Sequence, residues 1–381
     1  MKKIIALLLI IILAPLLSSC TQDKKDKYTF EQMLFGPTFS VFPQVTIVDT
    51  KARIKELRES GEVKASIKQI LDELDATYDV IDNDNSLISQ INQKAGISPV
   101  TVTDEVINII KTSIAASEST KVNDVALYDI TILPVWELWN FDSQYNKEEA
   151  VIPTQEDINN ALPLINYQNI IIDEDNKTVF LSKEGMKIDL GSIVKGYACD
   201  KIKAYLLSKG YKNAIINVGG NIMTFGYDYY DDREWLVKIS TPFANSLPNP
   251  YTQYYLGHMY YNDVTVVTSG TYERFITSQG IRYHHILNPK TGYPVNNGLV
   301  SVSIITNNSM QADAYSTSVF CMGLEEGVRF VEGLEDVEAV FVTDDKKEIY
   351  ITSGLEGKFN FNTELESVGY TYKGVKNGTS N

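Results

Sequence analysis

The chain has 381 residues and a formal net charge of −15, from 34 Lys and Arg against 49 Asp and Glu. Such an acidic balance argues against nucleic acid as a nonspecific partner, because phosphate contacts need clustered Lys and Arg. A polyanionic ligand would need local lysines, backbone N–H groups or a metal at its own site, and the three cysteines and three histidines form no zinc-like pattern.

Residues 1–19, "MKKIIALLLIIILAPLLSS", carry a basic start at Lys2 and Lys3 and an apolar run from Ile4 to Leu17. The run has the length of a secretory signal core and is short of the roughly 20 residues a membrane span needs. It ends in "LSSC", which resembles a lipobox, so residues 1–19 are expected to be removed and Cys20 lipidated. That places the protein at the cell membrane, lipid-anchored and facing the extracytoplasmic side. Residues 20–29 are polar and read as a tether. Residues 30–366 show no low-complexity break and read as one bilobed domain, and 367–381 as a flexible tail.

Within the domain, "FSVFPQVTIVD" is β-rich. Residues 64–78 carry Ile67, Ile70, Leu71, Leu74 and Tyr78 at helical spacing. The stretch 127–142, "LYDITILPVWELWNFD", mixes Asp129 with Trp136, Trp139 and Phe141. These aromatics suit either a core or the wall of a planar ligand's pocket. In "MKIDLGSIVKGYACDKIKAYLLSKG", residues 186–210, a short strand is expected to end at Leu190. Gly191 would turn the chain and Ser192 would cap a helix that stops near Gly210. Free N–H groups at that helix start, with Lys195 one turn in, fit phosphate; they equally fit a capped structural helix.

"NAIINVGGNIMTFG" reads as strand, glycine turn and strand. "WLVKIS", "VTVVTSG" and "LVSVSIITN" are further strands, and "EAVFVTDDKKEIYITSG" a hairpin. In "VVTSGTYERFI", Glu273 and Arg274 could form a local ion pair. In "MQADAYSTSVFCMG", Asp313, Ser316 and Thr317 are spaced i, i+3, i+4 on one helix face. One carboxylate with hydroxyl or carbonyl oxygens suits a hard cation such as Mg²⁺, and also a plain capped helix start. Outside the cytoplasm Cys199 and Cys321 could form a disulfide, but they sit far apart in sequence in apolar, helix-like settings and read as buried free thiols. Strands and helices intersperse without β-α-β alternation, which gives an α+β fold.

Taken in order, "YDITILPVWELWNF", "DLGSIVKGYACD", "NVGGN", "TSGTYERF", "RYHHILNPKTGYP" and "ADAYSTSVFCMG" resemble the ApbE family of bacterial FAD:protein FMN transferases, over about Phe35 to Gly354. The resemblance implies a bilobed α+β domain with FAD bound in the cleft between lobes. It implies Mg²⁺-dependent transfer of the FMN half of FAD to a Ser or Thr hydroxyl of a target protein, with release of AMP. The target would be an extracytoplasmic redox protein bearing a flavinylation motif. Carried over by motif, Asp313 and Thr317 are expected metal ligands, with the Ser192 carbonyl and Ser316, whose position is an acid in some members. Expected FAD contacts are Phe35, Tyr78, Leu127, Tyr128, Asp129, Asp189, Lys195, Ile286 and Leu287. Phe35 stands where many members have Met before Gly.

His285 matches the family histidine and is the expected general base for the acceptor hydroxyl; His284 is expected to pack or hydrogen-bond beside the flavin. Asn288 replaces the usual Asp, and Thr271 a frequent one. Two other activities share these site parts. One is an Mg²⁺-dependent FAD pyrophosphatase giving FMN and AMP. The other is a non-catalytic FAD-binding lipoprotein, an option kept open by Asn288.

Overall fold

The computed structural model describes residues 26–144, 147, 149–242, 255–344, 346–376 and 378. The expected signal segment and Cys20 lie outside the described residues.

A nine-stranded sheet organises the chain. Its strands are β1 (Tyr28–Leu34), β2 (Gln44–Thr50), β3 (Ala214–Val218), β4 (Asn221–Phe225), β5 (Val264–Gly270), β6 (Leu299–Thr306), β7 (Glu338–Thr343), β8 (Glu348–Ile351) and β9 (Thr371–Val375), adjacent in that order. All neighbours are antiparallel except β8 and β9, which are parallel. Antiparallel neighbours need only short links, and β3 and β4 show why one link is so short. Gly219 and Gly220 sit at φ +61° and +91°, a turn conformation that side chains with a Cβ disfavour.

The sheet divides two cores. Along β7, Ala339 and Phe341 face one and Val340 and Val342 the other, as the period-2 alternation of a strand requires. The larger core lies under four helices: α1 (Glu62–Tyr78), α2 (Asp104–Ser119), α3 (Val194–Ser208) and α4 (Ser309–Met322). Helix α1 buries Val63, Ile67, Leu71, Leu74 and Tyr78. Each such apolar side chain contributes roughly 1.5–3 kcal/mol when removed from water. The smaller core is closed by a three-stranded sheet of Trp235–Ser240, Tyr255–Tyr261 and Asn360–Phe361. Every residue of β6 is buried, because it has a core on both faces.

This is the α+β, two-lobed arrangement the sequence implied, with four local differences. The expected tether of residues 20–29 ends early, because β1 already pairs with β2 from Tyr28. Residues 367–376 are not a free tail: β9 pairs with β8, and buried Tyr370 joins the smaller core. Residues 186–190 form no strand. Met186, Ile188 and Leu190 do point inward by alternation, but Ile188 exchanges its backbone hydrogen bonds with the Asn92 side chain, at 2.7 and 2.9 Å, instead of with a strand. Ser192 does not cap α3, which starts at Val194 behind an uncapped Ile193. Both Cys199 and Cys321 are free and buried.

Candidate active site

A cleft of about 580 Å³ opens beside the start of α3 and along one face of α4, within the size range of small-molecule sites. Its geometry starts from a close helix contact. A Cβ placed on Gly196 of α3 would come within 2.1 Å of the Ser309 carbonyl oxygen of α4. Only glycine lets the helices meet there. At that contact the Gly196 N–H donates to Asp313 Oδ2 at 2.9 Å, rather than to the Ser192 carbonyl four residues back. Asp313 is 3% exposed, and its Oδ1 lies 3.6 Å from Lys195 Nζ.

The structure brings Asp313, Thr317, Ser192 and Lys195 to one wall of the cleft. Ser316 is not part of that wall. Its hydroxyl donates to the Asp313 carbonyl at 2.9 Å and meets Ser269 Oγ at 2.8 Å, so of the i, i+3, i+4 triplet only the i and i+4 members face the cleft. The Ser192 hydroxyl pairs with Tyr128 OH at 3.0 Å. Among the described residues no three His, Cys, Asp or Glu side chains gather as a metal cluster. The donors here are one carboxylate, the Thr317 hydroxyl and the Ser192 carbonyl left out of the helix ladder. That hard oxygen set fits Mg²⁺ and not a softer metal.

Tyr78, Leu127, Tyr128, Asp129, Asp189, Ile286 and Leu287, the expected FAD contacts, all line the cleft. The two aspartates serve the backbone. Asp129 accepts from the Thr131 N–H and hydroxyl with Oδ1 and from the Tyr167 N–H with Oδ2. Asp189 Oδ1 accepts from the Gly191 N–H at 2.8 Å. Burial raises both carboxyls from their ordinary range, against the pull of these hydrogen bonds. Tyr78 OH donates to Glu105 at 3.2 Å. Phe35 departs from expectation. It is buried in the larger core, and its N–H bonds the Pro43 carbonyl. The loop it begins instead brings Phe39, Ser40 and Val41 to the cleft.

The adjacent histidines separate as successive residues of an extended chain do. His284 ends the strand Ile281–His284 and turns inward, 6% exposed. One ring nitrogen donates to the Val295 carbonyl at 2.8 Å, the other accepts from the Ile286 N–H at 3.3 Å, and the ring meets Phe320 edge-on. It is not among the residues that line the cleft. His285 lines the cleft. Its Nδ1 is 3.0 Å from the Arg274 carbonyl. A carbonyl only accepts, so the neutral ring carries its proton on Nδ1 and leaves the Nε2 lone pair available. Burial first, then the Arg274 charge and His284, push the His285 pKa down to about 3.

Asn288 shapes the turn that follows. Its Oδ1 accepts from the Lys290 N–H at 2.8 Å and its carbonyl from the Gly292 N–H. An Asp would make the same bonds, so the turn does not depend on the missing charge.

Sequence reasoning missed Asn221, Thr268 and Ser269 as cleft residues, and it misread Glu273. Arg274 pairs with Asp142 at 3.3 Å and stacks over Trp136, while Glu273 lines the cleft. Burial pushes its carboxyl up to about 7, opposed by Lys195 and Arg274 and assisted by Asp313. The signal for Glu273 was its place next to a Ser-Gly turn at a strand end, which carries no direction for the side chain.

Replacing Gly196 by alanine tests the helix contact. The added methyl should destabilise the fold by about 1–3 kcal/mol, the usual cost of overpacking. It should also raise the Mg²⁺ concentration needed for half-maximal activity, since Asp313 loses its placement. A melting curve with an Mg²⁺ titration checks both; an unchanged melting temperature would show that the helices can part freely.

Comparisons with known proteins bear on the family and the fold. The model of the ApbE family matches residues 44–341. A Klebsiella pneumoniae (strain 342) protein named FAD:protein FMN transferase is 37% identical over 275 residues, 72% of this chain and 80% of that one. A Treponema pallidum (strain Nichols) protein of the same name is 29% identical over 311 residues, covering 78% and 82%. The solved structure of a flavin transferase ApbE from Vibrio cholerae superposes with a TM-score of 0.72 at 24% identity, covering 87% of this chain and all of that one.

Proposed function

The chain belongs to the ApbE family and is an FAD:protein FMN transferase, and from that premise we propose how its own residues perform the transfer and where. The acceptor is a Ser or Thr hydroxyl of an extracytoplasmic redox protein. The acceptor oxygen bonds to the phosphorus of the FMN half, the bond from that phosphorus to the bridging oxygen breaks, and AMP leaves with that oxygen. The observation that carries this reading is that His285, with Nε2 unprotonated, and the Asp313–Thr317 pair line the same cleft.

His285 Nε2 takes the proton of the acceptor hydroxyl. Its hydrogen bond to the Arg274 carbonyl fixes the ring and the tautomer. Asp313, Thr317 and the Ser192 carbonyl would hold Mg²⁺, which would neutralise charge on the diphosphate. Lys195 adds a positive charge on the same wall. Trp136, Ile286 and Leu287 give an apolar wall suited to the flavin ring. Incubation with FAD, Mg²⁺ and an acceptor protein tests the proposal by mass. Covalent FMN on the acceptor is expected. Free FMN with unlabelled acceptor would instead indicate water as the nucleophile, and intact FAD a protein that only binds it.

The membrane location rests on Lys2, Lys3, the apolar run and "LSSC" before Cys20. With Cys20→Ala the protein should leave the membrane fraction yet keep its transfer activity, because the first strand begins only at Tyr28. Wild-type protein found wholly in the cytosol would overturn the anchor.

A further inference from the structure

We infer that the side-chain amide of Asn221 is a binding group for the diphosphate of the dinucleotide substrate. The inference rests on the flavin-transfer reading of the cleft and adds to it a residue from the glycine turn between β3 and β4.

Asn221 is the first residue of β4, directly after Gly219 and Gly220. It is 2% exposed, it forms part of the cleft wall, and its amide nitrogen is buried with no hydrogen-bond partner. Buried amide donors are nearly always paired, and leaving one unpaired destabilises the fold. Of the five such atoms among the described residues, only that of Asn221 belongs to a residue that lines the cleft.

The residue is also held in place. Its carbonyl accepts from Cys199 Sγ at 3.6 Å, which ties it to α3 one turn beyond Lys195. The glycine turn before it is clamped from the other side: a Cβ on Gly219 would lie 2.6 Å from Val41. The missing partner therefore has to come to the amide.

An N–H₂ group needs an acceptor, and its surroundings say which. Ile222 pairs with Val266, so Asn221 stands abreast of Val267, next to Thr268. Ser269 follows, 3.3 Å from the Thr317 hydroxyl. Asn221 thus lies beside the strand that carries Ser269 and lines the same cleft as Lys195 and the Asp313–Thr317 pair. The apolar wall of Trp136, Ile286 and Leu287 comes from other segments. Donors beside a candidate cation site match phosphate oxygens, whereas the flavin ring matches the apolar wall.

The test uses the full chain with Asn221→Ala and Asn221→Asp. FAD and riboflavin are titrated with Mg²⁺ present and followed by flavin fluorescence, and the ligand-free melting temperature is recorded. For Asn221→Ala, FAD affinity should fall about tenfold or more, the worth of a hydrogen bond to a charged oxygen. Riboflavin, which has no diphosphate, should bind as before. The ligand-free melting temperature should hold or rise, because an unpaired buried donor is gone. Asn221→Asp should lose more than Asn221→Ala, since a carboxylate would oppose the diphosphate. Equal losses for FAD and riboflavin would overturn the inference, as would a lower melting temperature with FAD affinity intact. Wild-type protein that binds no FAD would sink the reading of the cleft itself. Wild-type binding with an unaffected Asn221→Ala would sink the Asn221 assignment alone.

Discussion

His285→Ala should retain FAD but transfer FMN about 10²-fold more slowly or worse, the range for losing a general base. The acceptor hydroxyl is a poor nucleophile until its proton is taken, and His285 lines the cleft with a neutral ring and Nδ1 already bonded to a carbonyl. His284→Ala should fail differently. That ring makes two backbone hydrogen bonds and does not line the cleft, so its removal should lower the melting temperature more than the rate per folded molecule. Transfer rate per folded molecule and melting temperature, measured for both variants, separate the two roles; a larger catalytic loss in His284→Ala would exchange them.

The pH profile follows from the same ring. A base must be unprotonated, and the downward shift to about 3 keeps His285 unprotonated at neutral pH. Its protonation should therefore cut the rate only in strong acid, with no limb near the ordinary histidine value of about 6.5. Burial pushes the Glu273 carboxyl in the cleft up to about 7, near neutrality. An inflection there should disappear in Glu273→Gln. An inflection near 6.5 that survives Glu273→Gln would mean that His285 is not held neutral.

Asp313→Ala should abolish the response of the rate to Mg²⁺. The loss should exceed the roughly 10–100-fold that supporting residues of a metal site cost, since Asp313 is the carboxylate of the proposed ligand set. Stability should change far less. The Lys195 that it faces has a side chain 22% exposed and can turn to water, so no charge is stranded in the interior. The Gly196 N–H does lose its acceptor. Asp313→Asn supplies the control: its amide oxygen can still accept from Gly196, yet the charge is gone. It should melt like wild type and be nearly as inactive as Asp313→Ala. Normal Mg²⁺ dependence in either variant would remove Asp313 from the metal site.

Several parts of this protein were fixed by local sequence. The apolar stripe of α1 needs only the 3.6-residue period to declare its buried face. The "VGGN" hairpin needs two positive φ values, which glycine supplies. Asp313 and Thr317 share a face because i and i+4 do on any helix. The order of six such motifs was enough for the family, since each marks a turn or helix face of the cleft.

Tertiary structure decided which of those residues reach the cleft. Ser316 has the right spacing, but Ser269 from β5 draws its hydroxyl away. Ser192 has the right chemistry for a cap, but Tyr128 holds its side chain. Phe35 went into the core and handed its place to Phe39 and Ser40, and β9 was ordered by a parallel partner that begins 23 residues earlier at Glu348. The direction of Glu273 and the unpaired amide of Asn221 were likewise invisible in the chain. For Ser316, Ser192 and β9 the deciding partner is remote in sequence. Periodicity and turn chemistry describe what a segment does with itself, while burial and hydrogen-bond pairing depend on what is packed against it.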